Sequence, residues 1–155
     1  MNKIYISDSA EETQEIAENF VKRLKKGDVV ALYGNLGSGK TTFVQGLARG
    51  FGIKKRIISP TFIIVRTYKI KTSPFAKASE DRQKPKSLCH IDLYRVNNKN
   101  DIEGLGLMEL FETKDNVVVI EWAEKMQNLL PKKRWDVKFE DLGGRRRKIT
   151  INQKL

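Results

Sequence analysis

Cysteine and histidine are almost absent from this sequence, which has 155 residues and contains one of each, Cys89 and His90. One cysteine cannot build a disulfide framework, so the chain is not a small secreted domain held together by disulfides. One histidine also argues against a histidine-rich metal centre. We therefore expect Cys89 to be a buried thiol, and His90 to pack or to form a hydrogen bond.

Long apolar runs are missing as well. No segment approaches the roughly 18 consecutive apolar residues that a membrane-spanning helix needs. The N-terminus becomes acidic where a secretory signal peptide would be apolar. Together with the lone cysteine, these features predict a cytoplasmic protein that does not associate with a membrane.

Positive charge is in excess, with 30 Lys and Arg against 19 Asp and Glu and a formal net charge of +11. The excess lies mainly in residues 69–87 and 131–155, which leaves the rest of the chain nearly neutral. Such segments are usually solvated faces, but they can also contact a polyanion such as RNA. Charge therefore suggests a polyanionic partner and says nothing about the fold.

The order of the apolar patterns predicts an α/β fold. Helical periodicity and strand-like runs alternate early, and an apparent hairpin closes the chain. The predicted helices are 9–26, 41–51 and 122–130, with a glycine-interrupted helix or loop at 101–111; the predicted strands are 29–33, 62–70, 88–94, 117–120, 135–142 and 148–152. We expect one three-layer P-loop NTPase domain over residues 1–155, with a mixed parallel and antiparallel central sheet. Residues 71–87 are too long for a hairpin turn and predict a flexible surface insertion.

Residues 34–41 (GNLGSGKT) match the pattern G-x-x-x-x-G-K-[ST] at every fixed position. In this P-loop, glycines let backbone N–H groups surround a phosphate, Lys40 adds positive charge, and the Thr41 hydroxyl can bind Mg²⁺. An apolar strand precedes the motif and an amphipathic helix follows it, as phosphate binding requires. The predicted nucleotide contacts are Gly34, Asn35, Leu36, Gly37, Ser38, Gly39, Lys40, Thr41 and Thr42.

Two acidic residues follow predicted strands and are candidates for the metal side of this site. Glu121 comes directly after four β-branched residues, and Asp92 follows the less apolar run 88–91. Ligands of open α/β sheets bind at the carboxyl ends of the strands. One acid would hold Mg²⁺ and the other would orient the attacking water, unless either is only a solvated strand end or a structural ion pair. The sequence leaves the two roles unassigned.

Four motifs occur in a fixed order: GNLGSGKTTF at 34–43, SPTF at 59–62, HIDLYR at 90–95 and IEWAE at 120–124. In this combination the chain resembles, over nearly its whole length, the TsaE (YjeE) family. These are small ATPases of bacterial tRNA threonylcarbamoyladenosine synthesis. The P-loop is common to many proteins, whereas the other three motifs together are specific.

The resemblance implies an ATPase that assists TsaD-like and TsaB-like proteins without being the threonylcarbamoyl transferase itself. Those partners would modify position 37 of tRNAs that read codons beginning with A. The chain would then reach tRNA mainly through the complex, with direct contact by residues 69–87 and 131–155 as a further expectation.

Matched positions also imply roles for individual residues. Lys40 would hold phosphate, Thr41 and Glu121 would coordinate Mg²⁺, and Asp92 would lie near the γ-phosphate. The resemblance further implies a switch-like loop at 59–62, and it places Thr13 and Arg145 near the nucleotide through weaker matches. Two departures from the family pattern stand out: Asn35 replaces the usual acid, and the 71–87 insertion is longer than usual.

Two other functions fit parts of the sequence. A small-molecule P-loop kinase would share the phosphate loop. Such a kinase usually also carries a lid with arginines and an acceptor pocket, and 155 residues leave little room for both. An RNA-binding module with a vestigial P-loop would explain the basic segments. The first would phosphorylate a metabolite, and the second would bind tRNA with a steep salt dependence and no partner.

Overall fold

The computed structural model describes residues 2–59, 64–71, 79 and 82–155. The last three residues of the SPTF motif and most of the predicted insertion lie outside the described residues. The expectations of a switch-like loop and of a flexible insertion therefore stay predictions.

Short helices alternate with strands along the described chain. The α-helices are α1 (Ala10–Phe20), α2 (Lys40–Gly50), α3 (Lys99–Glu103) and α4 (Leu107–Glu112), and 3₁₀ helices span Val21–Arg23 and Ala123–Leu129. The strands are β1 (Lys3–Ser7), β2 (Val29–Tyr33), β3 (Val65–Lys69), β4 (Ser87–Asp92), β5 (Asn116–Glu121), β6 (Arg134–Gly143) and β7 (Arg146–Lys154). No helix in the described part of the chain is long and apolar enough to cross a membrane.

The strands form one seven-stranded sheet in the order β1-β7-β6-β2-β5-β4-β3. The four neighbours β6, β2, β5 and β4 run parallel, whereas β1, β7 and β3 pair antiparallel at the two sides. This arrangement confirms the predicted α/β fold with a mixed sheet. Because parallel strands share one direction, the carboxyl ends of β2, β5 and β4 meet at one edge.

Apolar side chains cover both faces of the central strands. On one face, α1 and α2 pack against Val30, Leu32 and Val119, and all three side chains are fully buried. On the other face, α3, α4 and the second 3₁₀ helix pack against Ala31 and Ile120. The β-branched runs of β2 and β5 are therefore buried from both sides, as the runs predicted.

The two helices beside the P-loop approach each other closely because α2 carries two glycines. A Cβ atom on Gly46 would lie 2.4 Å from the carbonyl oxygen of Gln14 in α1, and one on Gly50 would lie 2.8 Å from a methyl group of Val21. No larger residue fits these positions without moving α1. This contact fixes α1 against the helix that begins at the phosphate loop.

Several predicted elements need correction. Strand β1 was not predicted, because its five residues carry too weak a pattern; its pairing with β7 stabilises it. The predicted helix 9–26 begins after the Ser9 cap as expected, but its α-helical part ends at Phe20 and Leu24 is extended. The segment after Glu121 forms short 3₁₀ turns and not a continuous α-helix, and Gln127, with a positive φ of 49°, divides it in two.

Candidate functional site

The P-loop connects the end of β2 to the start of α2. Gly37 and Gly39 have φ values of 76° and 105°, in the left-handed region that glycine adopts without steric cost. The N-terminus of α2 therefore opens onto a cleft of about 330 Å³ that the loop lines on one side. A helix N-terminus beside such a loop offers unpaired N–H groups and a positive dipole end to an anion.

Lys40 is buried at the base of this cleft, with only 4% of its surface exposed. Its Nζ atom donates hydrogen bonds to the carbonyl oxygens of Gly34 and Asn35 and lies 4.0 Å from the centre of the Trp122 ring. Burial lowers the pKa of Lys40, although nearby carboxylates, Glu121 first among them, act in the opposite direction. Among the described residues, no carboxylate forms a direct ion pair with this ammonium group, which bonds carbonyl oxygens instead.

The P-loop also contains a buried hydroxyl that has no hydrogen-bond partner among the described residues. Ser38 is 3% exposed, and its Oγ atom makes no hydrogen bond to any described residue. The loop places this hydroxyl close to Gly34, where a Cβ atom would lie 2.6 Å from it. A buried ammonium group and a buried hydroxyl in one glycine-lined loop fit the oxygen atoms of a phosphate.

Thr41, Glu121 and His90 form a continuous chain of hydrogen bonds. The Thr41 hydroxyl donates to Oε1 of Glu121 at 2.7 Å, and His90 Nε2 lies 2.5 Å from Oε2 of the same carboxylate. Glu121 is 2% exposed and His90 is fully buried. The structure thus joins the P-loop threonine to the predicted strand-end acid, and His90 is the hydrogen-bonding residue that the sequence suggested.

Asp92 lies next to Glu121 at the same edge of the sheet. The two residues are register partners on the parallel strands β4 and β5. Asp92 accepts hydrogen bonds from the Ser59 hydroxyl and, at 2.9 Å, from the backbone N–H of Tyr94. Both predicted acids therefore line the cleft, but they have different partners.

A second cavity, also of about 330 Å³, adjoins the first on the other side of the P-loop. Thr13 and Arg145 both line it, together with the shared residues Gly37, Gly39 and Thr42. The two weaker sequence matches thus lie beside the loop, and their contact with a nucleotide stays a prediction. The Thr13 hydroxyl also bonds Ser7 Oγ at 2.7 Å, which anchors α1 to the end of β1.

Sequence reasoning missed the roles of Arg147 and Tyr94. Arg147 contacts the P-loop through its guanidinium, and Tyr94 packs its ring 5.2 Å from that of Trp122 at the rim of the cleft. Trp122, directly after Glu121, has a positive φ of 60°, and its ring lies against the ammonium group of Lys40. The only signal for Arg147 was its position within a basic run.

Many basic side chains of the C-terminal segment are engaged within the molecule. Arg134 pairs with Asp136, Arg146 with Asp8, Arg147 with Asp141 and Lys148 with Glu140, at 2.7 to 3.1 Å. In each pair the neighbouring acid offsets part of the positive charge at the surface. This favours a solvated hairpin face for much of the basic run.

Comparisons with known proteins agree with this geometry. The family model TsaE, described as threonylcarbamoyl adenosine biosynthesis protein TsaE, matches residues 7–149. The tRNA threonylcarbamoyladenosine biosynthesis protein TsaE of Bacillus subtilis is 37% identical over 141 residues, which cover 91% of this chain and 79% of that protein. The protein of the same name from Treponema pallidum is 33% identical over 147 residues, which cover 94% of this chain and 97% of that protein.

A solved structure shows the same fold. The crystal structure of Bacillus subtilis YdiB superposes with a TM-score of 0.77 and 31% sequence identity, covering 100% of this chain and 87% of that one. The four motifs, the fold and the family match therefore lead to one conclusion: this chain belongs to the TsaE family of threonylcarbamoyl adenosine biosynthesis proteins.

Proposed function

We propose that this chain is a Mg²⁺-dependent ATPase and an accessory subunit in the synthesis of N6-threonylcarbamoyladenosine at position 37 of tRNA. The observation that carries the proposal is the hydrogen bond between the Thr41 hydroxyl and the Glu121 carboxylate, beside the buried ammonium of Lys40. It joins the first turn of the P-loop helix to an acid at a strand end. P-loop hydrolysis needs these two groups together.

Thr41 and Glu121 are the residues that would hold Mg²⁺. This ion takes few protein ligands and completes its coordination with water and phosphate oxygens. The described residues contain no group of three or more His, Cys, Asp or Glu that could hold a metal ion by itself. A hydroxyl and one carboxylate suit an ion that arrives with a nucleotide. When bound, Mg²⁺ would neutralise charge on the β- and γ-phosphate oxygens.

The other polar groups of the cleft divide the remaining work. The P-loop N–H groups and the N-terminus of α2 would bind the phosphates, and Lys40 would balance their charge. Asp92 would orient the attacking water, since Glu121 is already joined to Thr41. The bonds from Ser59 and from the Tyr94 N–H would hold the Asp92 carboxylate in place for this task.

The proposed partners are a TsaD-like and a TsaB-like protein. The proposal rests on the family, in which this chain would supply the nucleotide cycle and its partners the transfer. We expect the chain to reach tRNA mainly through this complex. Four basic residues of the C-terminal segment form ion pairs within the molecule, which supports this expectation: Arg134, Arg146, Arg147 and Lys148.

The test is ATP hydrolysis with Mg²⁺, measured with and without the TsaB–TsaD pair of the same organism. We expect stimulation by the pair and loss of turnover in Lys40→Ala. We expect Asp92→Asn to lower turnover while nucleotide affinity is retained, and Glu121→Gln to weaken the dependence on Mg²⁺. Lys22→Ala, which removes an exposed lysine outside the cleft, is the control for charge. Unchanged turnover in Lys40→Ala would overturn the proposal.

The same assay separates this function from that of a small-molecule kinase. A hydrolase releases inorganic phosphate in a one-to-one ratio with ADP. A kinase releases ADP only when a metabolite is present and leaves the phosphoryl group on that metabolite. Screening metabolites for such a transfer therefore decides between the two enzymes.

A further inference from the structure

His90 lies behind the proposed metal ligand and not in the cleft itself. Its side chain is fully buried, and Nε2 lies 2.5 Å from Oε2 of Glu121. His90 does not line either cavity beside the P-loop. The direct contact of His90 with the site is therefore its bond to Glu121.

The hydrogen-bonding roles within this pair follow from the chemistry of its members. An ionised carboxylate only accepts hydrogen bonds, so His90 Nε2 is the donor. The other ring nitrogen, Nδ1, is buried without a partner among the described residues. A proton on Nδ1 would be a buried donor without an acceptor, which is costly. A proton on Nε2, directed at Glu121, fits these contacts.

We propose that His90 is a positioning residue that fixes the orientation of the Glu121 carboxylate. The Nε2–H group holds Oε2, and this leaves Oε1 directed toward the Thr41 hydroxyl and the cleft. Without that bond, the carboxylate could rotate and turn either oxygen away from Thr41. The inference rests on the proposed function, in which Glu121 and Thr41 hold Mg²⁺ together.

The fold gives this bond a fixed geometry. His90 pairs in register with Val119, while Asp92 pairs with Glu121 two residues further along the same parallel strands. Because side chains alternate along a strand, His90 and Asp92 lie on one face of β4. Partners that orient a metal ligand in this way typically change metal affinity by ~10–100-fold when they are removed.

The test compares two amide substitutions that differ by one methylene group. Gln places its amide near the position of histidine Nε2, whereas the shorter Asn side chain does not reach Glu121. The first readout is Mn²⁺ affinity, measured by electron paramagnetic resonance with a non-hydrolysable ATP analogue present. The others are the affinity for the same analogue in excess chelator, and the thermal unfolding midpoint. Val119→Ala, which shortens the fully buried register partner, controls for damage to the core.

We expect His90→Asn to weaken Mn²⁺ binding by ~10–100-fold and His90→Gln to recover most of that loss. Metal-free analogue affinity should stay within about twofold of wild type in both variants, because neither touches the P-loop. The inference is overturned if both variants bind Mn²⁺ as tightly as wild type does. It is also overturned if the affinity for Mn²⁺ and the affinity for the metal-free ATP analogue fall by the same factor. Failure of the proposed function is a separate result, since wild type itself would then show no Mn²⁺ site.

Discussion

The guanidinium of Arg147 donates a hydrogen bond from Nη2 to the carbonyl oxygen of Gly37, at 3.3 Å, although the residues are 110 positions apart. Through Nη1 the same group bonds Asp141 and the Gly144 carbonyl oxygen, at 3.0 and 3.1 Å. One side chain therefore connects the turn between β6 and β7 to the phosphate loop. The C-terminal hairpin thus helps to hold the P-loop in place.

Replacing Arg147 with alanine should weaken nucleotide binding. Without the bond to Gly37 the free P-loop is less ordered, and nucleotide binding must supply up to the roughly 0.5–1.5 kcal/mol that the bond contributes, a rise in the dissociation constant of at most about 10-fold. Titration with a fluorescent ATP analogue would measure it.

Arg146→Ala is the matched control for Arg147→Ala, because it removes the same charge one residue away. Arg146 pairs with the exposed Asp8 and has no bond to the P-loop. If both variants lose the same affinity, general attraction of the phosphates explains the effect and the contact with Gly37 does not.

Gly46→Ala should destabilise the protein even though alanine is the better helix former. The added Cβ atom would lie 2.4 Å from the Gln14 carbonyl oxygen and 2.7 Å from the Ala17 Cβ atom. Such overpacking typically costs about 1–3 kcal/mol and exceeds the propensity gain of roughly 1 kcal/mol. Chemical denaturation would measure the change in the free energy of unfolding.

Gly104→Ala is the control for this substitution. Gly104 has helical backbone angles, and a Cβ atom there would meet its nearest neighbours at ordinary contact distances of 3.6 and 3.7 Å. Its unfolding free energy should stay close to that of wild type. Equal losses in the two variants would mean that the α1–α2 contact is not the cause.

Lys40 should make the stability of the ligand-free protein depend on pH. Burial lowers the pKa of Lys40 in the folded state, so the unfolded chain binds more protons over the range between the folded and unfolded values. The free energy of unfolding therefore rises with pH between the lowered pKa of the folded state and the unfolded value of about 10.4. In this range the folded protein has lost the lysine proton, whereas the unfolded chain keeps it. Comparing wild type with Lys40→Met by chemical denaturation at several pH values would reveal this. The free energy of unfolding of wild type should increase relative to that of Lys40→Met as the pH increases. A difference between the two proteins that does not change with pH would contradict the prediction.

The sequence predicted which residues line the cleft at the P-loop better than it predicted their surroundings, for a physical reason. The P-loop and the acids Asp92 and Glu121 depend on local patterns: a glycine turn with a helix after it, and carboxylates at the ends of apolar runs. Parallel pairing then places the acids at the P-loop edge, so a correct fold class was enough to bring them together.

Contacts between distant segments could not be predicted in the same way. The bond from Arg147 to Gly37 depends on how the β6–β7 turn lies over the P-loop, and the bond from His90 to Glu121 depends on strand register. Strand β1 is stable only because β7 lies beside it. None of these features leaves a periodic signal in the residues concerned.

Tyr33, the last residue before the P-loop, should ionise later than an ordinary tyrosine. Burial and then the charge of Asp136, which accepts a 3.0 Å hydrogen bond from its hydroxyl, raise the pKa of Tyr33 to about 12. The pKa of tyrosine in the unfolded chain is about 10. The contribution of Tyr33 to the free energy of unfolding is therefore complete below pH 10 and is lost as the pH rises toward 12. Ultraviolet absorbance should therefore show a late ionisation step for Tyr33, which is absent in Tyr33→Phe and shifted to lower pH in Asp136→Asn. A late step that persists in Tyr33→Phe would assign it to another tyrosine.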